Sequence, residues 1–66
     1  MRLSLNGASI ELAAGTTVAG LVAERADRDR RVAVAVNSEV VPRSAWASTS
    51  LAEGDDVELL AAVAGG

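Results

Sequence analysis

Polar and apolar residues alternate in two short stretches near the start of the chain. These stretches are "RLSL" (2–5) and "SIEL" (9–12), and each has an apolar residue at every second position. A period of two is typical of a half-buried β-strand. The dipeptide "NG" (6–7) between them favours a type I′ turn, in which both central residues have positive φ. The pattern therefore predicts an N-terminal β-hairpin.

The spacing of the apolar residues lengthens in the next stretch, "AAGTTVAGLVAERA" (13–26). An i, i+3, i+4 spacing indicates the buried stripe of a helix on a sheet. Here that stripe consists of Val18, Leu21 and Val22. Thr16 or Thr17 is the predicted N-cap, because a hydroxyl there accepts a hydrogen bond from a free backbone N–H of the first turn. Gly20 lies inside the helix, and we interpret it as a point of close approach between helix and sheet.

Two further strands are predicted in the middle of the chain. "VAVAV" (32–36) is apolar throughout and β-branched at every second position, which is typical of a covered central strand. "NSE" (37–39) favours a turn. "VVPR" (40–43) holds the only proline, whose missing N–H predicts an edge or a strand end. The pattern of residues 44–51 favours neither helix nor strand.

The last predicted strand follows a charged turn. "EGDD" (53–56) forms the turn, and "VELLAAV" (57–63) begins as a strand whose apolar density predicts a central position in the sheet. Alternation divides its first side chains between two faces. The buried face carries Val57 and Leu59, and the opposite face carries Glu58 and Leu60.

The order of elements is strand, strand, helix, strand, short strand, strand. This order predicts an α+β fold with a mixed sheet of four or five strands and one main helix packed on one face. We expect one domain at residues 1–62 and a flexible C-terminal tail at 63–66. The core must be built mainly from aliphatic side chains, since Trp46 is the only aromatic residue. We expect Trp46 to cover one end of the core, with its indole N–H reaching a carbonyl or water, in preference to stacking on a ligand.

Composition and charge exclude several classes of protein. The 66 residues carry a net charge of −3, whereas nucleic-acid binders usually present a basic face. The one basic cluster, "RADRDRR" (25–31), also contains two Asp residues and is predicted to be a solvated loop. No apolar run approaches the roughly 20 residues of a membrane span, and no signal peptide is indicated. We expect a cytoplasmic protein without nucleic-acid or membrane partners.

The side chains that usually carry catalysis are missing. The sequence contains no His, Cys, Lys or Tyr, which excludes an imidazole base, a thiolate or amine nucleophile and a soft metal ligand. The four acids of "EGDDVE" (53–58) do not have the spacing of a calcium loop. We therefore expect a protein that is not an enzyme and that binds no metal or cofactor itself.

The chain ends in Gly65 and Gly66, which have no side chains to pack or titrate. A chance terminal pair is expected about once in 200 chains at the usual glycine frequency of about 7%. A carboxylate is a poor electrophile and must be activated before its oxygen can be replaced. An unhindered glycine is well suited to such activation, and we therefore consider the terminal carboxylate a candidate functional group.

Four stretches of the sequence resemble the ThiS family, the sulfur carriers of thiamine biosynthesis. They are "LNG", "AAGTTVAGLV", "VAVAVNSEVVPRSAW" and "LAEGDDVELLAAVAGG", and together they span nearly the whole chain. Residues 36–46 are the specific part, because a Gly-Gly end is shared by several ubiquitin-like groups. Ser38 departs from the pattern, since relatives often have Gly after Asn, and the turn type at 37–38 is not determined by the resemblance.

The resemblance implies the β-grasp, or ubiquitin-like, fold and a role in sulfur transfer. In such carriers a ThiF-like adenylating enzyme uses ATP and Mg²⁺ to convert the terminal carboxylate to an acyl adenylate. A sulfur-donating protein then provides sulfur for a thiocarboxylate, which a ThiG-like thiazole synthase consumes. By this resemblance Gly66 is adenylated and bears the sulfur, while Gly65 and Ala64 belong to the flexible tail.

Leu60 and Glu58 are candidate partner contacts, because alternation turns both away from the core. The alternative for Leu60 is that a second layer covers it. The acids at 53–58 are candidates for steering association with a basic partner surface. We expect the isolated protein to be a monomer.

Three other functions are compatible with the sequence. The first is the related sulfur carrier of molybdopterin synthesis, which docks to a different synthase. The second is a ubiquitin-like modifier, although the lack of Lys prevents lysine-linked chains on itself. The third is a plain β-grasp interaction module whose tail is inert.

Overall fold

The alternating residues at the start of the chain form an antiparallel hairpin of β1 (Arg2–Leu5) and β2 (Ala8–Glu11). The structure is a computed structural model that describes residues 1–25 and 31–61. Two residues join the strands, Asn6 with φ 51° and Gly7 with φ 83°. Positive φ at both positions is the geometry of a type I′ turn, and the predicted hairpin is confirmed.

The predicted helix, α1 (Val18–Arg25), follows this hairpin and buries Val18 and Leu21. The N-cap is Thr17, whose Oγ1 accepts a hydrogen bond from the Gly20 N–H at 3.2 Å. The interpretation of Gly20 is wrong. A Cβ at this position would meet only the side chains of Thr16 and Thr17, at 3.5 and 3.6 Å, and no atom of the sheet lies within 4 Å.

The middle of the chain forms a second antiparallel hairpin, of β3 (Val32–Val36) and β4 (Glu39–Val41). Its two turn residues, Asn37 and Ser38, have φ values of 52° and 72°. This turn is therefore also of type I′, although its second residue is not glycine. Strand β4 lies at the edge of the sheet and Pro42 follows it directly, as predicted.

The stretch without a clear sequence pattern forms a 3₁₀ helix (Arg43–Ser48). Trp46 on this helix is 9% exposed, and its Nε1–H donates a hydrogen bond to the Val41 carbonyl at 2.9 Å. The Arg43 guanidinium carbon lies 5.1 Å from the centre of the indole ring. The predicted position of Trp46 at the margin of the core, with its N–H on a carbonyl, is confirmed.

The last strand, β5 (Asp56–Ala61), lies in the middle of a five-stranded sheet of order β2-β1-β5-β3-β4. It runs parallel to β1 and antiparallel to β3, which makes the sheet mixed and confirms the predicted central position. The predicted α+β arrangement of one sheet and one main helix is therefore confirmed. The predicted boundary between residues 62 and 63 lies outside the described residues.

The core lies between α1, the 3₁₀ helix and the inner face of the sheet. Its buried members in residues 1–25 and 31–60 are all apolar, and β1, β3 and β5 each contribute one of them. They are Leu3, Leu12, Val18, Leu21, Val34, Trp46, Leu51 and Val57. The other face of the sheet, which we call the outer face, carries the side chains of alternate strand positions.

Glu11 ties the end of β2 to the start of β1. Its Oε2 lies 3.3 Å from the Met1 amine, and its Oε1 accepts a hydrogen bond from Arg2 Nε at 3.3 Å. The hydrogen bond from the Met1 amine, followed by that from Arg2, lowers the pKa of Glu11. A lowered pKa in the folded state means that this stabilisation is present near neutral pH and is lost as the pH falls through the Glu11 pKa.

Candidate functional site

The predicted reactive end of the chain follows directly on β5. Gly66, predicted to bear sulfur, and the tail residues Gly65 and Ala64 lie outside the described residues, as do residues 26–30 of the predicted charged loop. Strand β5 is described as far as Ala61. The surroundings of this strand therefore define the candidate site.

The two strands beside β5 pair with it over different lengths. On one side, β3 pairs with it from Val57, opposite Val36, to Ala61, opposite Val32. On the other side, β1 pairs with it only as far as Val57, opposite Leu5. The end of β5 nearest the tail is thus held by a strand on its β3 side, while the chain on its β1 side has already turned away.

Side chains on β5 alternate between the core and the outer face, as the sequence predicts. Val57 is completely buried and Leu59 packs against the core, whereas Leu60 is 63% exposed and Glu58 is exposed. The alternative in which a second layer covers Leu60 is therefore wrong for the described residues. The role of Leu60 and Glu58 as partner contacts stays a prediction.

Leu60 belongs to an apolar area whose other members are not evident from the sequence pattern. It pairs with Ala33 on β3, and Ala35, two residues further on, pairs with Val40 on β4. Directly paired residues lie on the same face of a sheet. Val40 is 76% exposed, and it and Leu60 are the exposed large apolar side chains among the described residues. We call Ala33, Ala35, Val40 and Leu60 the outer patch.

A sequence signal for the outer patch does exist. In the run "VAVAV" the two positions that face outward are alanines. Their small side chains leave a shallow surface beside the larger apolar residues on the neighbouring strands. The sequence predicts only an edge strand or strand end around Val40, because a three-residue strand shows too little alternation to define its faces. An exposed, contiguous apolar area is typical of an interaction site.

In the predicted charged turn before β5, the acidic side chains themselves accept hydrogen bonds that hold the turn. Asp55 accepts hydrogen bonds from the Ala52 N–H at 2.8 Å and from Asn37 Nδ2 at 3.1 Å. Glu53 accepts one from the Arg2 N–H at 2.9 Å. Asp56 accepts one from the Ser4 hydroxyl at 2.8 Å on the outer face. These carboxylates shape the turn and give this end of the outer face its negative charge.

Residues 1–25 and 31–61 contain neither a metal-binding cluster nor a helix that could span a membrane. Within them, no group of three or more acidic, His or Cys side chains is placed to hold a metal ion. Within the same residues, the one α-helix is too short and too polar to cross a membrane.

Comparison with known sequences identifies one family. Residues 3–66 match the profile of the ThiS family. The sulfur carrier protein ThiS of Escherichia coli (strain K12) is 35% identical over 66 residues, which cover both chains completely. A thiazole synthase of Paramagnetospirillum magneticum is 38% identical over the same length, but this chain spans only 20% of it.

Comparison with solved structures gives the same result for the fold. The crystal structure of the thiamine biosynthesis protein ThiS from Geobacter metallireducens aligns with a TM-score of 0.83, covers both chains completely and is 33% identical. A solution structure of a thiamine biosynthesis protein from the same organism aligns with a TM-score of 0.78, covering all of this chain and 88% of the other. The predicted β-grasp arrangement is confirmed by this likeness.

Proposed function

Because the chain belongs to the ThiS family, the sulfur carriers of thiamine biosynthesis, we propose that the carboxylate of Gly66 is the group that bears the sulfur. The observation that carries this proposal is the match to a sulfur carrier over the full length of both chains, together with the terminal Gly65-Gly66 pair. Ala64 and Gly65 form the spacer that lets the terminus enter a partner's site. Two glycines allow the backbone to approach an enzyme surface closely.

The proposed reaction takes place on partner enzymes. A ThiF-like enzyme transfers the adenylyl group of ATP, with Mg²⁺, to the Gly66 carboxylate and releases pyrophosphate. Sulfide supplied by a donor protein then attacks the acyl carbon and displaces AMP, which leaves a thiocarboxylate that delivers its sulfur to thiazole synthase. In this proposal the carrier holds no cofactor of its own. Because adenylation consumes ATP, we expect the carrier to act in the cytoplasm.

In this reaction the carrier binds the partner enzymes and presents the Gly66 carboxylate to them. It is non-catalytic, in keeping with a sequence that has no His, Cys, Lys or Tyr. The likeness to a thiazole synthase over the whole of this chain supports a synthase as one partner. We propose that the outer patch and the neighbouring Glu58 dock on the partners. We also propose that the carrier itself is a monomer.

The test of the reactive end is intact mass spectrometry. The protein is incubated with ATP, Mg²⁺, a ThiF-like enzyme and a sulfide source. We expect a mass gain equal to the exchange of one oxygen for sulfur, localised to the C-terminal peptide. The chain without Gly66 is the control and should show no gain. A gain that persists in this control, or is absent from the intact chain, would contradict the proposal.

The test of the outer patch is Leu60→Asp, which places a charge where an apolar contact is proposed. Burial of a leucine contributes about 1.5–3 kcal/mol, so we expect at least about tenfold weaker binding to the adenylating enzyme. Binding is measured by calorimetry, and circular dichroism confirms that the variant is folded. Ser9→Asp is the matched control, since Ser9 is exposed on the same face but lies on β2, away from the outer patch. Equal weakening by both variants would contradict docking at the outer patch.

A further inference from the structure

The two hairpin turns within the described part of the chain each place an asparagine beside β5. Asn6 and Asn37 are the first central residues of the two type I′ turns, with φ values of 51° and 52°. Asn6 lies on the β1 side of β5, and Asn37 lies on the β3 side. The side-chain amides of both residues form hydrogen bonds at β5 or next to it. Asn6 bonds near the end of the strand, and Asn37 bonds at its start.

Asn6 continues the sheet at the point where β1 ends. The backbone ladder runs from Ser4 N–H to the Asp55 carbonyl and from Asn6 N–H to the Val57 carbonyl, both at 2.9 Å. The next step, two residues further along, is made by the side chain of Asn6. Its Oδ1 accepts from the Leu59 N–H at 2.9 Å, and its Nδ2 donates to the Leu59 carbonyl at 3.1 Å. One carboxamide thus replaces the two backbone groups that a longer β1 would provide.

Asn37 makes the corresponding contacts at the start of β5. Its backbone N–H donates to the Asp56 carbonyl at 2.7 Å, and its Oδ1 accepts from the Asp56 N–H at 3.0 Å. Its Nδ2 donates to Asp55 at 3.1 Å. Asp56 is five residues before Ala61, whereas Leu59 is two residues before it. At about 3.3 Å per residue, the two amides act about 17 Å and about 7 Å from the last described residue.

We propose that Asn6 is a positioning residue for the reactive terminus, which it holds by fixing the end of β5 nearest the tail. This inference rests on the proposed function of Gly66. With the Asn6 carboxamide in place, both backbone groups of Leu59 are hydrogen-bonded on the β1 side of β5, and β3 pairs with the same stretch on the other side. Without it, the β1 side of β5 loses both bonds at Leu59, and this end can open locally while the rest of the sheet stays closed.

The consequence for chemistry follows from the need to align reacting atoms. Adenylation requires the terminal carboxylate to lie in line with the α-phosphate of ATP in the partner, and small displacements lower the rate of such steps steeply. When Leu59 is fixed, the terminus starts toward that site from a constant position on the sheet. When Leu59 opens, this starting position varies and a smaller fraction of geometries is productive. Asn37 acts at the far end of β5 and does not have this effect.

The test compares Asn6→Gly with Asn37→Gly. Glycine accepts the positive φ of a type I′ turn, so each variant keeps its turn and removes only the side-chain amide. Both variants lose two side-chain hydrogen bonds and should show similar, modest decreases in the midpoint of urea unfolding. Adenylation by the ThiF-like enzyme is then measured with the carrier as the varied substrate, at a temperature where all forms are folded.

We expect Asn6→Gly to lower kcat by about fivefold or more with KM changed less than about twofold, since the outer patch is intact. Asn37→Gly should leave both constants within about twofold of the unsubstituted protein. Amide hydrogen exchange at Leu59 should become at least about tenfold faster in Asn6→Gly and not in Asn37→Gly.

Equal effects of the two variants on kcat, or an unchanged exchange rate at Leu59 in Asn6→Gly, would overturn the role of Asn6. Either result would leave the function of Gly66 standing, provided that the unsubstituted protein is adenylated. Failure of the unsubstituted protein to be adenylated would instead overturn the proposed function itself.

Discussion

Ser38 occupies a backbone conformation that residues with a Cβ rarely adopt. Its φ of 72° lies in the left-handed region, where the Cβ approaches the following carbonyl oxygen. Gly7, at the equivalent position of the first turn, has a φ of 83° without this strain. The second hairpin therefore keeps the type I′ geometry that suits the twist of its strands in spite of its sequence.

Ser38→Gly is expected to stabilise the protein. Relief of the left-handed strain, about 1–2 kcal/mol, exceeds the greater entropy of glycine in the unfolded chain, about 0.5–1 kcal/mol. We expect a net gain of about 0.5–1 kcal/mol in the free energy of unfolding, measured by urea denaturation. Ser9→Gly in the regular part of β2 is the control and should be destabilising. A loss of stability in Ser38→Gly would show that the strain is not significant.

At the level of elements, α1 is short and depends on its surroundings. Its eight residues are fewer than an isolated helix needs in water, so its stability comes from the Thr17 cap and the burial of Val18 and Leu21. Gly20 adds nothing to this packing, because the space beside it holds only side chains from the preceding turn at ordinary van der Waals distances. The glycine weakens the helix without a compensating contact.

Gly20→Ala is expected to raise the free energy of unfolding by about 1 kcal/mol, the difference in helix propensity between the two residues. Thermal unfolding followed by circular dichroism would detect this change. Ala23→Gly, at an exposed position of the same helix, should shift the stability by a similar amount in the opposite direction. If Gly20→Ala destabilises the protein, the helix must approach another element more closely than the structure indicates.

At the scale of the whole molecule, charge and apolar surface share one face of the sheet. Asp56 and Glu58 precede Leu60 at alternate positions of β5, so all three point outward in one row. The row changes from acidic to apolar as it approaches the tail. Such an arrangement favours a partner whose basic surface attracts the carrier before the apolar contact forms.

We expect the association rate with the adenylating enzyme to fall by about threefold to tenfold between about 0.05 and about 0.5 M salt, as screening weakens this attraction. Stopped-flow measurements of Glu58→Gln should show a shallower salt dependence. Glu24→Gln is the matched control, because Glu24 is exposed on α1, on the opposite side of the sheet. A rate that does not vary with salt would argue against electrostatic steering.

Much of the fold could be predicted because its signals are local. The first hairpin follows from "NG" between alternating strands, and the direction of Leu60 follows from its place in β5. The 3₁₀ helix could not be predicted, since it is short and Trp46 is held by contacts with Val41 and the core. The role suggested for Gly20 failed for the same reason, because the distance between a helix and a sheet is not a property of either sequence segment.

The sequence alone determined the order of the strands and α1, and which sides of α1 and β5 face the core, because periodicity and turn residues act within a few positions. The family resemblance is likewise a property of the sequence. Tertiary structure decided which outward-facing residues remain uncovered, and it brought Val40 and Leu60 to one surface. It also placed the amide of Asn6 on Leu59, 53 residues away along the chain. Contacts at such separations depend on the packing of the whole sheet, and no local pattern of residues specifies them.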